Sequence, residues 1–269
     1  MPEEYDHNGF ERSDEMKKTI YYETMQDDVV VASDQQATVP ENYRWIRSSK
    51  FYDFNHKLLY KLFYGWAYVF IKYGLHTTIV NKEILQKEKR GYFLYINHTQ
   101  TVGDPFLPSQ IVVDKETYIV ASPSNLSIPI LGKILPILGA LPLPTGAEQM
   151  KRFRQAIATR IQEKQCVVIF PEAHVWPYYT DIRPFENAAF QFPIDTQAPV
   201  YCATVTYQKD RNHHPRRMVY VHGPFMADPT LQRVKKRKKL ANEVYEQMKK
   251  DARHNTFQFV QYIQRKENL

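Results

Sequence analysis

Apolar positions are sparse at the start of this chain, and their spacing changes character near residue 50. Residues 1–45 show no sustained apolar period and are rich in Asp, Glu and Gln, so they read as an acidic, poorly ordered arm. Residues 52–75 are dense in apolar and aromatic side chains over a helical length, with Gly74 as a stop. Their uninterrupted apolar stretch, 62–71, is far shorter than the ~20 residues a bilayer span requires. Lys57, Lys61 and Lys72 flank or break it, among Tyr60, Trp66, Tyr68 and Tyr73. That pattern predicts an N-terminal amphipathic helix lying in a membrane interface, within a helical segment 46–80. A buried core helix is the competing explanation of the same residues.

From residue 81 to 269 short apolar runs alternate with amphipathic or polar stretches. Residues 91–96, 117–121, 166–170, 199–206 and 217–221 predict strands, while 149–163 and 228–253 predict helices. Such alternation predicts an α/β domain with a central, mostly parallel sheet flanked by helices.

Charge is uneven. Residues 1–45 hold 11 acidic and 4 basic side chains, a net of −7, so a total of +7 leaves +14 on the rest. A basic body implies an anionic partner: membrane, nucleic acid or a phosphorylated ligand. The run 233–239 has six cations in seven residues, which suits an anionic leaflet or a solvated helix face. No zinc-finger, helix-turn-helix or RNA-recognition pattern occurs, so no nucleic-acid partner is expected. Cys166 and Cys202 each sit in an apolar run without a Cys-x-x-Cys pair, which favours a reducing compartment. The opening residues are acidic and polar, unlike a signal peptide, so a cytoplasmic location is expected.

Chemistry is concentrated at two strand ends. The first run leads into Asn97-His98 and then Asp104-Pro105. A carboxylate there can bond one ring nitrogen of the imidazole and fix its tautomer, leaving the other to accept a proton. The run 167–170 leads into Pro171-Glu172-Ala173-His174, again at a carboxyl end, where α/β sheets keep their ligand sites. No Gly-x-Ser-x-Gly elbow occurs, which disfavours a serine hydrolase, and the histidines form no convincing metal-ligand set.

Four blocks in order resemble the glycerolipid acyltransferase family, whose 1-acylglycerol-3-phosphate acyltransferases are its best-known members. They are Asn97-His98 with Asp104, Leu138-Gly-Ala-Leu-Pro-Leu-Pro144, Phe170-Pro-Glu172 and Ala198-Pro-Val200. The resemblance implies acyl transfer from acyl-CoA or acyl carrier protein to a hydroxyl of a lysophospholipid or related lipid acceptor, with no bound cofactor or metal. His98 would be the general base and Asp104 its orienting partner, while Asn97, Glu172, His174 and Arg183 would line the substrate site. The protein would sit peripherally on the cytoplasmic face of a membrane, against anionic lipids. Departures from the family pattern are specific. Five residues rather than four separate His98 from Asp104, and Gly103 is expected to absorb the extra length as a bulge. Pro144-Thr145 stands where the family writes Asp-Arg, Ala173-His174-Val175 where it writes Gly-Thr-Arg, and Glu186 where it often has Lys. Arg183, His174, Lys133 or Arg154 are the candidate replacement cations. These departures also sustain an alternative, a catalytically inactive membrane-docking protein that keeps the fold.

Overall fold

The protein is described by a computed structural model over residues 18–30, 38–47, 49–129 and 131–265. The chain begins with β1 (Lys18–Tyr22), α1 (Lys50–Val69), β2 (Thr77–Val80), α2 (Glu83–Gln86) and β3 (Tyr92–Ile96). It continues through α3 (Pro108–Ile111), β4 (Thr117–Ala121), α4 (Leu131–Ile134), β5 (Ala140–Pro142), α5 (Ala147–Gln162) and β6 (Cys166–Ile169). The last elements are α6 (Gln191–Thr196), β7 (Val200–Lys209), β8 (Pro215–Phe225), α7 (Arg233–Ala252) and β9 (Val260–Gln264).

Among the described residues, seven strands form one sheet in the order β2-β8-β7-β3-β6-β4-β5. Every pair is parallel except β7 with β8. The expected α/β architecture with a mostly parallel central sheet is therefore present. β3 and β6 are buried along their whole length, because both faces are covered and continuous apolar runs are the stable choice there. Phe93, Tyr95, Val167 and Ile169 point to the side of α5 and α7. Tyr92, Leu94, Ile96 and Val168 point to the other side, against Ile71, Leu107 and Ile111. Each such fully buried side chain stabilises the fold by roughly 1.5–3 kcal/mol. α5 buries Phe153, Ala156, Ile157 and Ile161, a spacing that keeps one helical face on the sheet.

Strands β2 and β5 escaped sequence reading. β2 is a four-residue edge strand, and β5 is three residues ending in Pro142, also at an edge where its missing donor costs nothing. Residues 77–80, placed by the sequence in the membrane-interface segment, thus belong to the sheet. The acidic stretch also differs from expectation where it is described. β1 pairs in parallel with β9, while Val39 and Trp45 are buried against the α5 side, Trp45 Nε1 donating to Pro142 O at 2.9 Å. Isolated apolar anchors in polar sequence produce no period, so they went unseen. The rest of that arm, residues 1–17 and 31–37, lies outside the described residues.

α1 is fixed to the fold along one side. Tyr60 exchanges hydrogen bonds with Thr117, and Tyr64 donates to Pro108 O and Val112 O. A π-helical turn, Phe70–Gly74, ends it and tucks Ile71 fully inside. The opposite side exposes Phe54, Leu58, Leu62, Trp66, Val69 and Tyr73, a stripe at helical spacing. Among the described residues, no helix is long and apolar enough to cross a membrane.

Candidate active site

Adjacent parallel strands β3 and β6 end at the same edge of the sheet, and the loops that follow carry the predicted residues. Asn97 comes first and is buried. Its side-chain amide receives Val205 N–H at 2.7 Å and donates to Val205 O at 3.1 Å, continuing the β3–β7 ladder beyond Ile96. Asn97 thus ties the end of β3 to β7.

His98 follows with its side chain 17% exposed and its ring stacked on Phe170 at 4.4 Å. Its Nδ1 lies 3.1 Å from Asp104 Oδ2. The same oxygen accepts Thr99 N–H at 2.6 Å and Gln100 N–H at 2.8 Å. Asp104 has no exposure at all, so these donors replace the water its carboxylate would otherwise hold. Asp104 and Phe170 hold the ring in place, and in the tautomer whose Nδ1 donates to the carboxylate Nε2 carries the lone pair.

The expected bulge at Gly103 does not occur. Gly103 has φ −75 and ψ −38, a conformation open to any residue. Glycine gives space there instead: a Cβ would overlap Gln100 Oε1 and come within 2.6 Å of Arg217 Nη1, so those side-chain ends would have to move. The extra residue is accommodated by a turn in which Asp104 N–H returns to Gln100 O at 3.3 Å.

Behind this turn stands Arg217 of β8, which the sequence analysis did not single out. It is fully buried, donates to Gln100 Oε1, and places Nη2 3.4 Å from Asp104 Oδ1. A signal was available. Arg217, Val219 and Val221 alternate onto one buried face, and a cation on a core face demands a partner.

The loop after β6 is sealed more completely. Glu172, 4% exposed, accepts His98 N–H at 3.0 Å and Arg183 N–H at 2.9 Å. Burial pushes its carboxyl above the ordinary value, opposed by the charge of Arg183. Arg183, 1% exposed, lies 3.5 Å from Glu172, donates to His174 O and to Met25 O, and sits 4.9 Å over the Trp176 ring. Burial likewise lowers its guanidinium from the usual value. Arg183 was expected to meet substrate, but it is committed inside the protein. His174 is half-exposed and pairs with Asp28 at 3.3 Å. Trp176 is the keystone of this side, ringed by Tyr22, Tyr179 and Tyr262, with Nε1 donating to Asp27 O. Backbone bonds from Trp176 N to His98 O and from Tyr178 N to Thr99 O join the two loops.

Among the described residues, no group of His, Cys, Asp and Glu is placed to hold a metal ion. A cleft of about 320 Å³ is lined by Tyr43, His56, Glu116, Tyr118 and Arg160. Glu116 precedes β4, so this cleft lies at the opposite edge of the sheet from His98.

The mostly parallel sheet thus carries a carboxylate-held imidazole at the end of one central strand and a buried glutamate at the end of the next. Residues 76–206 match the family model named Acyltransferase, which supports the resemblance to the glycerolipid acyltransferases. The fold is similar to the crystal structure of the 1-acyl-sn-glycerophosphate (LPA) acyltransferase PlsC from Thermotoga maritima. That likeness has a TM-score of 0.55 at 14% identity, covering 74% of this chain and 86% of that one. No curated protein is significantly similar in sequence.

Proposed function

We propose that the protein moves a fatty acyl group from a thioester, acyl-CoA or acyl carrier protein, to a hydroxyl of a lysophospholipid or related lipid. The observation that carries this reading is the His98–Asp104 bond beneath a partly exposed imidazole. In the reaction Nε2 of His98 takes the acceptor's hydroxyl proton while its oxygen attacks the thioester carbonyl carbon. The tetrahedral intermediate collapses by breaking the C–S bond, and the imidazolium returns its proton to the departing thiolate. Asp104 stabilises the imidazolium between the two steps. Glu172 acts by holding the His98 backbone.

A lipid acceptor and a peripheral position on a membrane are supported by the exposed α1 stripe. Trp66 and Phe63 of α1 lie 5.4 Å and 5.3 Å from Phe106, two residues after Asp104, so apolar surface runs up to the catalytic loop. The basic run 233–239 does not adjoin that surface. It belongs to α7, which packs on the other side of the sheet, and two of its cations are paired, Arg233 with Asp195 and Lys239 with Asp228. Docking is therefore assigned to α1.

The acceptor is expected not to be lysophosphatidic acid. A phosphate monoester is best held by bidentate Arg, and Thr145 and Val175 stand where the family would place it. Arg183 is turned inward, while Glu186 adds an exposed negative charge. Each missing charge-assisted bond corresponds to ~1.5–3 kcal/mol. Thiol release from both donor types is to be measured with vesicles carrying lysophosphatidic acid, lysophosphatidylcholine or monoacylglycerol. Acceptor-dependent release, lost in His98→Ala and with lysophosphatidic acid not the preferred acceptor, is the expected result. Release with none of them would leave the inactive docking protein as the reading. Preference for lysophosphatidic acid, with Arg154→Ala raising only its KM, would relocate the phosphate site to α5.

A further inference from the structure

The geometry points to Arg217 as a positioning residue for His98, a role that rests on the catalytic reading above. Three strands support the His98 loop from below at the same sheet edge. β3 delivers the loop, β7 supplies Tyr207, whose hydroxyl lies 2.9 Å from Thr99 Oγ1, and β8 supplies Arg217. Arg217 stands opposite Tyr207 on one side and Thr77 on the other, so its backbone is fixed between two strands. Its guanidinium is planar and rigid, with a fork of donors. One arm binds Gln100 Oε1 and the other faces Asp104 Oδ1, which fixes the spacing between the two ends of the turn 100–104.

The consequence passes to the imidazole through one carboxylate. Asp104 Oδ2 faces His98 while Oδ1 faces Arg217, so the guanidinium sets the plane in which Asp104 offers its acceptor to Nδ1. The backbone amides of Thr99 and Gln100 hold Oδ2 but leave rotation about that contact to be stopped by the Oδ1 partner. Gly103 belongs to the same device, because any larger residue would wedge Gln100 away from Arg217. Arg217 has no exposure and touches no solvent-facing surface, so it acts through Asp104 rather than on a substrate.

Full-length protein carrying Arg217→Lys, Gly103→Ala or both tests this. Lysine keeps the charge but has no fork to span both partners. Gly103→Ala alters no buried charge and no backbone preference, so it carries the test if Arg217→Lys fails to fold. Two readouts are taken per folded molecule: the His98 Nδ1 proton resonance, assigned by its loss in His98→Ala, and kcat and KM for thioester consumption. The resonance should move or broaden in each variant, and kcat should fall about 10–100-fold with KM unchanged, the scale expected of an ångström-sized misplacement. The double variant should be little worse than the worse single, because both break one contact set. An unmoved resonance with wild-type kcat, the damage confined to a lower unfolding midpoint, would overturn the proposal. If the wild type consumes no thioester, the catalytic reading fails separately. The resonance then decides alone, a shift supporting the positioning of His98 and no shift overturning it.

Discussion

The loops after β3 and β6 leave neighbouring parallel strands at one edge, and each begins by burying a carboxylate, Asp104 in one and Glu172 in the other. Both carboxylates accept backbone N–H groups and both face an arginine. The difference lies in the third kind of partner. Asp104 also holds an imidazole that reaches solvent, whereas Glu172 holds only the backbone N–H of His98 and Arg183, which is itself enclosed by Trp176 and the segment after β1. A buried carboxylate can take part in chemistry only through a partner that meets the substrate. By that criterion the proposed chemistry falls to the first loop, with the second as its brace.

The sharpest way to break this comparison is to remove the one partner that reaches out. His98→Ala should leave the unfolding midpoint unchanged and lower the acyl-transfer rate by ~10²–10⁴-fold, the usual range for loss of a general base. Asp104→Asn should be nearly as severe, since an amide in that place offers less to Nδ1 and disturbs its donors. Single-turnover kinetics with a fixed acyl-thioester read both. Transfer at the normal rate by His98→Ala would abolish the distinction between the two loops.

Glu172 should show the reverse profile. Removing one member of a buried ion pair strands the other, at a cost of about 3–5 kcal/mol. Glu172→Ala is therefore expected to shift the urea midpoint strongly, with Arg183 left charged beneath Trp176. Glu172→Leu combined with Arg183→Met should recover part of that loss, because no uncompensated charge remains. Urea melts of the three proteins decide it, and a Glu172→Ala variant as stable as the parent would remove the bracing role.

How much of this was legible beforehand follows from what kind of pattern each feature leaves. The central strands show in the sequence because continuous apolar runs mark strands covered on both faces, as in β3 and β6, and the long helices because burial repeats every three to four residues, as in α5 and α7. His98 and Glu172 were legible because polar residues closely follow apolar runs, and Asp104 because it completes a spaced block with Asn97-His98. Arg217 and Trp176 were not picked out, since their partners lie more than a hundred residues away in the chain, at Asp104 and at Asp27. Arg183 was assigned to substrate because an unpaired cation in sequence looks available. Only the fold shows that Glu172, His174 and Met25 already occupy it. Val39 and Trp45 illustrate the same limit, two anchors with no period around them.

The smallest expected effect turns on one methyl group and separates the loops by their glycine chemistry. Ala173 follows Glu172 with φ +64, a left-handed conformation that costs an L-residue roughly 1–2 kcal/mol. It stands where the resembled family writes Gly, and the turn has kept that residue's conformation without the residue. Ala173 is exposed, so losing its methyl forfeits no packing. Glycine loses more freedom on folding, which offsets about 0.5–1 kcal/mol of the relief. Ala173→Gly should therefore stabilise the protein by up to about 1 kcal/mol, a rise in Tm of roughly 2–4 °C for a domain of this size. Transfer activity should stay the same, because the backbone already adopts the conformation glycine prefers. The other loop inverts the relation: Gly103 has an unstrained φ but no room for a Cβ, so alanine there should be harmful. Scanning calorimetry of Ala173→Gly beside Gly103→Ala measures both signs at once. A fall in Tm for Ala173→Gly would mean that its methyl group, and not a strained turn, is what the second loop depends on.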